Sequence, residues 1–279
     1  NLLQKFRNLV SLSLENNSIS SLPPCISSLQ SLTPLYLHGN AIHVLPQSLC
    51  SLAALTHLDL SVNNLQSLPM TIGELQQLRS LYLQCNQLTL LLGGIGSLTA
   101  LETLHLSRNQ LASLPPELGQ MKGLSWLDIS YNRLSHLPME LFALPDLAHL
   151  NLRSNTISGI PNRIKEVKKL KYLDLSFNLL EGRLPVELDY VSSLETLILD
   201  NQLISHLPLL TGLTSLTYLS IGGNFLRSLP NELRSLENLT HLDVSLNSLS
   251  NIPSSFVSLV NLKTLLLHGN HFSPPIQTL

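Results

Sequence analysis

Four aspartates in this chain are each followed two residues later by a serine: Asp59 and Ser61, Asp128 and Ser130, Asp174 and Ser176, Asp243 and Ser245. His57, His105, His149 and His241 lie close by. A carboxylate, an imidazole and a hydroxyl on one surface are the parts of an acyl-transfer site. His105 and Asp128 are the pair best placed for it, as expected lateral neighbours on one surface. No nucleophile elbow accompanies them, however, and no third group to orient a base. Each Asp–Ser pair also sits in the same setting, Leu-Asp-aliphatic-Ser, as in Leu58-Asp59-Leu60-Ser61. A pattern copied that often is dictated by the fold, so the chain reads as non-enzymatic and without a cofactor.

The copying has a period. From Asn17 to Asn270 an asparagine recurs every 23 residues, twelve in all. Ahead of each comes a segment such as Leu101-x-x-Leu104-x-Leu106-x-x-Asn109-x-Leu111, and Leu-Pro usually follows, as at Leu114-Pro115. Repeats then start at residues 9, 32, 55, 78, 101, 124, 147, 170, 194, 216, 239 and 262. His57, His149 and His241 share one place in this frame but lie several repeats apart, too far to share a metal. A fixed period of this length marks a solenoid. The segment resembles the leucine-rich-repeat signature, which implies an α/β solenoid over residues 1–279. That solenoid would be a curved horseshoe, with a parallel sheet on the concave face and short helices or 3-10 turns on the convex face.

Each position has a physical task. The Leu-x-x-Leu-x-Leu segment alternates as a strand does, sending leucines 4 and 6 inward. No single repeat can bury them, so the repeats must stack. The asparagine at position 9 is expected to bond backbone groups where the chain leaves the strand. The proline at position 15 fixes φ and can open a short outer turn. Repeat 4 departs here, with Leu90-Leu91-Leu92-Gly93-Gly94-Ile95-Gly96. Without GxGxxG or GxxxxGK[ST], those glycines are no phosphate loop; they predict a looser outer face. Repeat 8 is one residue long around Gly182, and repeat 9 is one short near Asp200-Asn201-Gln202, so Asn201 is expected one step off its usual place.

Composition narrows the function. Of 279 residues, 44% are hydrophobic and 12% charged, with a net charge of −2. That is ample for a core and gives no basic field for nucleic acid. No run of apolar residues is long enough to span a membrane. Cys25, Cys50 and Cys85 form neither a metal pattern nor a disulfide framework, which points to a reducing compartment. Sequons occur at Asn16 and Asn238. Leu3, Phe6 and Leu279 fall where core positions would, without polar caps, so the chain is expected to be a piece of a longer protein.

Positions 2, 3, 5, 7 and 8 are expected to line the concave face. Their side chains are released from packing and so available for function. In repeats 4 to 8 they place Tyr82, His105, Arg108, Trp126, Asp128, Tyr131, His149, Arg153, Tyr172 and Phe177 on one patch, with Tyr218 further along. Four strand spacings make that patch about 19 Å across. Tryptophan, tyrosine and arginine most often carry interface energy. Aromatic rings on a sheet also pack across strands, but exposed they carry an aggregation risk unless a partner covers them. A second, basic cluster comprises Arg163, Lys165, Lys168, Lys169 and Lys171, opposed in sequence by Glu166 alone. It is an ordinary solvated surface or a contact for an acidic partner or anionic lipid.

The full repeat, as in Leu101 to Met121, resembles intracellular leucine-rich-repeat proteins of the Ras-pathway scaffold, Ras-suppressor and Scribble/Erbin type, and plant intracellular Ras-group proteins. The resemblance implies a cytoplasmic scaffold or adaptor whose concave face binds a protein, such as a Ras-like small GTPase or a phosphatase catalytic subunit. Similar repeats stand beside the GTPase domain of Roco proteins, and repeat 8 drifts toward the plant receptor form. A recognition domain of a larger protein, or an extracellular ligand-binding ectodomain, is therefore the alternative.

Overall fold

The computed structural model describes residues 5–272; the expectations attached to Leu3 and Leu279 lie outside them. The chain divides into two compact units, Asn1–Leu134 with Pro138–Leu147, and Ser135–Leu137 with Ala148–Leu279.

Unit 1 carries strands β1 (Leu12–Ser13), β2 (Pro34–Tyr36), β3 (His57–Asp59), β4 (Ser80–Tyr82), β5 (Thr103–His105) and β6 (Trp126–Asp128). They pair in parallel and in chain order, each residue opposite its equivalent, so that Leu35, Leu58, Leu81, Leu104 and Leu127 form one row. The even register follows from the even period. The leucines at positions 1, 4 and 6, such as Leu101, Leu104 and Leu106, are fully buried. Each contributes roughly 1.5–3 kcal/mol by leaving water. No long helix is needed: five-residue 3-10 turns return the chain along the outer side, as at Pro24–Ser28, Gln47–Ser51 and Pro116–Gln120. The position-15 proline precedes each of these, for example Pro115 at φ −71°.

Repeat 4 is not loosened. Gly93–Ser97 forms the same five-residue turn, and Leu92 takes the extended backbone that proline takes elsewhere. Ile95 is buried. The glycine at Gly96 answers close approach: a Cβ there would lie 2.3 Å from the Glu117 carbonyl oxygen of the next turn.

The asparagines form interior rungs. Asn132 donates to the carbonyls of Leu106 (3.0 Å) and Ile129 (3.1 Å) and accepts from the Leu111 N–H at 3.0 Å. One side chain thus satisfies groups of two successive repeats that no strand pairing reaches.

Unit 2 stacks β7 (His149–Asn151), β8 (Tyr172–Asp174), β10 (Thr196–Ile198), β12 (Tyr218–Ser220), β13 (His241–Asp243) and β14 (Thr264–Leu266). Its two irregular repeats differ from the rest. The residue added in repeat 8 lets β9 (Glu181–Arg183) pair with β11 (Leu203–His206) as a second, two-stranded sheet, with Gly182 at φ +70°. The residue lost in repeat 9 comes from the outer side: Leu210 has φ +54° there, and Asp189 of the preceding turn accepts the Gly212 N–H at 2.7 Å. The asparagine count needs one correction. In repeat 9 the rung is Gln202, whose side-chain oxygen accepts the Leu180 N–H at 3.0 Å and whose amide donates to the Leu175 carbonyl. Asn201 sits one position earlier, outside the row.

Candidate interaction face

Strand alternation sends position 4 inward and positions 3 and 5 outward. In unit 1 the outward rings touch one another from strand to strand, directly across at Tyr82 and His105 and diagonally at the other contacts. Tyr36 lies 5.0 Å from His57, His57 5.1 Å from Tyr82, Tyr82 5.1 Å from His105, and His105 6.1 Å from Trp126. The last two contacts are stacked, at 21° and 23° between planes. Five rings therefore make a continuous ladder, and Trp126 at its end remains 41% exposed. Burial holds the imidazoles of His57 and His105 below the usual histidine pKa, against the pull of Asp59 and Asp128. At neutral pH the ladder is an uncharged aromatic surface.

Position 8 forms the edge of this face, and its backbone is unusual. In every repeat it is left-handed, with φ from +52° to +71°. Asn16, Gly39, Asn201, Gly223 and Gly269 suit that region; Val62, Cys85, Arg108 and Tyr131 do not. A side chain with a Cβ costs about 1 kcal/mol there, more for a β-branched residue. In unit 1 the reward is small. Val62 and Tyr131 are exposed, and the Arg108 guanidinium lies 4.6 Å over the Tyr131 ring.

Unit 2 repeats the theme on its own strands. His149 stacks on Tyr172 at 4.1 Å, and Tyr218 on His241 at 4.2 Å. Arg153 lies 4.5 Å over the exposed Phe177 ring and donates to Ser176 at 3.0 Å. Asp200 accepts from Ser220 and the Gly222 N–H, both at 2.7 Å. Burial, then the nearby Asp243 and Asp174 carboxylates, push its pKa up. Burial beside Asp200 also raises the Tyr218 hydroxyl.

The Asp–Ser pairs serve the backbone. Asp59 and Asp174 each accept both the N–H and the hydroxyl of the serine two residues on, while Asp128 and Asp243 accept the N–H. This corrects the expectation that position 7 is exposed at these serines: Ser61, Ser130, Ser176 and Ser245 are all buried, and the hydroxyls of Ser61 and Ser176 are held by those bonds. His38 approaches the Ser61 hydroxyl at 2.9 Å, but that hydroxyl donates to Asp59. The serine, not the imidazole, is the middle group, the reverse of a catalytic triad. His105 and Asp128 stand 4.0 Å apart with no hydroxyl between them. Among the described residues no His, Cys, Asp and Glu cluster could hold a metal. The three cysteines are free, and burial raises the Cys50 thiol.

The basic cluster is more neutralised than its sequence shows. Arg163 pairs with Glu166 through two nitrogens, at 2.7–3.1 Å, and Lys171 with Glu195 at 2.9 Å. Lys165, Lys168 and Lys169 lie exposed on or just after the Asn162–Glu166 turn.

Tyr36 and His57 complete the ladder, yet the sequence patch began only at Tyr82. The signal was present in the alternation of rings between positions 5 and 3 of adjacent repeats. It needed side-chain reach, not register alone, to be read.

Parallel strands in even register, 3-10 returns and an interior asparagine row define a leucine-rich-repeat solenoid. Residues 7–65, 53–111, 76–134, 122–180 and 214–272 each match the model of the Leucine rich repeat family, and the chain belongs to that family. Among solved structures it is similar to a leucine-rich-repeat protein of Leptospira interrogans, at 33% identity and TM-score 0.81, over 98% of this chain and 75% of that one. It is also similar to an internalin of Listeria monocytogenes, at 25% identity and TM-score 0.82, over 99% and 85%. A third likeness is to a plant peptide hormone receptor in complex with RGF2, at 28% identity and TM-score 0.68, over 96% of this chain but 52% of the receptor. No curated protein sequence gives a match. The family's fold is one used for protein–protein interaction, and no helix among the described residues is long and apolar enough to cross a membrane.

Proposed function

We propose that the chain is a non-enzymatic protein-interaction module that binds a partner protein through its exposed strand face. The observation that carries this reading is the Tyr36-to-Trp126 ladder, which leaves Trp126 exposed in a family built for contact. Tyr82, His105, Arg108, Trp126, Asp128 and Tyr131 are the contact residues of unit 1. His149, Arg153, Tyr172, Phe177 and Tyr218 are those of unit 2. Free, scattered cysteines fit a cytoplasmic signalling scaffold or adaptor. Its resemblance group supplies the first partners to try, a Ras-like small GTPase and a phosphatase catalytic subunit. The test is a binding titration of each purified candidate against the wild-type chain and a Trp126→Ala/Tyr172→Ala variant. Equal affinity of the two for a proven partner would remove this face from consideration.

One observation favours a second reading. The β9–β11 sheet and the left-handed Gly182 depart from the other repeats, and the sequence of repeat 8 drifts toward the plant receptor form. An extracellular ligand-binding ectodomain would follow. A glycan at Asn238 in protein secreted from a eukaryotic host would support it, and an unmodified Asn238 would oppose it. In either reading the cluster of Arg163, Lys165, Lys168, Lys169 and Lys171 offers a second contact for an acidic partner or anionic lipid. Salt-sensitive binding that survives a Lys168→Glu/Lys169→Glu change would exclude it.

A further inference from the structure

We infer that unit 2 pairs with a second copy of this chain through the flank that carries β9 and β11, the two solenoids lying side by side and running in opposite directions. This interface lies off the strand face and does not depend on what that face binds.

The flank carries an apolar stripe confined to three repeats. Along the rest of the solenoid the residue after each rung is small or polar, as at Gln87, Gln110 and Ser248. In repeats 8, 9 and 10 it is Leu179, Leu203 and Phe225, all large and all exposed. Single exposed apolar side chains are ordinary. Three in successive repeats, about 10 Å along the stack, form a surface that calls for cover. The stripe is also firmly backed. The Leu203 N–H donates to the Leu180 carbonyl and the Phe225 N–H to the Ile204 carbonyl, both at 2.9 Å. Leu203 opens β11, which pairs with β9 in the second, two-stranded sheet. The place where the repeat pattern breaks is therefore the place where the flank turns apolar.

Charge identifies the occupant. Two residues beyond the stripe stand Glu181 in repeat 8, Ser205 in repeat 9 and Arg227 in repeat 10. Glu181 and Arg227 are exposed, and neither joins an ion pair among the described residues. The flank thus bears an acid in its first repeat, a base in its last and a neutral hydroxyl between them. A two-fold axis through repeat 9 reverses the order of repeats, so that repeat 8 of one copy faces repeat 10 of the other. Leu179 then meets Phe225, Leu203 meets its own counterpart, and Glu181 meets Arg227 twice over. A residue on the axis faces itself, and a charge there would be repelled; Ser205 has none. An unrelated partner places no such demand on the order of these residues. The stripe is short, so the interface belongs to the small class and association depends on concentration.

The test is sedimentation of the 279-residue chain over a rising series of concentrations. Wild type is expected to pass from monomer to dimer, and Trp126→Ala to do the same. Leu203→Asp should stay monomeric throughout, with an unchanged melting curve because Leu203 lies outside the core. Glu181→Arg and Arg227→Glu should each weaken the dimer about fivefold or more, since two exposed pairs turn repulsive in every dimer. Mixed in equal amounts, those two variants should pair with each other, because one is then positive at both ends of the flank and the other negative. A wild-type chain that remains monomeric at the highest concentration overturns the inference. So does a dimer that survives Leu203→Asp, or one lost in Trp126→Ala, which would lie on the strand face instead. A mixture of the two charge variants that associates no better than either alone overturns the two-fold arrangement, and the inference with it.

Discussion

The side-chain oxygen of Gln202 accepts the backbone N–H of Leu180 at 3.0 Å, the bond that an asparagine makes in neighbouring repeats. Its neighbour Asn201 keeps the 23-residue spacing of the asparagine row but stands outside it, in the left-handed backbone of position 8. Replacing each should separate spacing from role. Gln202→Ala is expected to cost about 1–3 kcal/mol, the range for stranding buried polar groups, as is Asn132→Ala in a regular rung. Asn201→Gly should change stability by no more than about 0.5 kcal/mol, since glycine accepts the same φ. Chemical denaturation of the three variants decides the matter; a larger loss at Asn201 than at Gln202 would reverse the assignment.

Val62 is the β-branched member of the left-handed row, at φ +52° and exposed. Asparagine tolerates this region far better. Val62→Asn should therefore relieve about 1 kcal/mol of strain and raise the melting temperature by about 1–3 °C. A lower melting temperature would show that Val62 packs more productively than its exposure implies.

The strands and core were legible because a 23-residue period repeated twelve times leaves one way to hide rows such as Leu58, Leu81 and Leu104. Three features were not. The diagonal contact of Tyr36 with His57 depends on side-chain reach across two strands. The left-handed turn at Val62, Cys85, Arg108 and Tyr131 is invisible because those residue types avoid it; Asn16, Gly39, Asn201, Gly223 and Gly269, at the same position, are the residues that hint at it. Burial of Ser61 and Ser176 follows from hydrogen bonds to Asp59 and Asp174, which outweigh the outward direction of the strand.

Trp126 ends the ladder against His105 at 6.1 Å and stays 41% exposed. Its removal opens no cavity in the core, so Trp126→Ala should leave the unfolding midpoint nearly unchanged. Affinity for a proven partner should fall by about 2 kcal/mol or more, as for a central interface tryptophan. Calorimetric binding beside a thermal melt separates the two effects. A destabilised variant would mean that the ring braces the sheet instead.

Asp200 is the carboxylate whose surroundings oppose its charge: burial first, then Asp243 and Asp174. Its folded pKa lies above the unfolded value, so the fold favours the neutral acid. That advantage is complete below the unfolded pKa and is lost as pH rises through the folded one. At neutral pH the charged side chain is held in place by the Ser220 hydroxyl and the Gly222 N–H. Asp200→Asn keeps an oxygen for both donors and removes the charge. The variant should melt above wild type at pH 7, and the gap should close as pH falls through the raised pKa. Melting curves taken from pH 7 down to pH 3 test this. A gap that widens toward acid would show that the two hydrogen bonds outweigh burial and repulsion, and that the Asp200 carboxylate stabilises unit 2 as an anion.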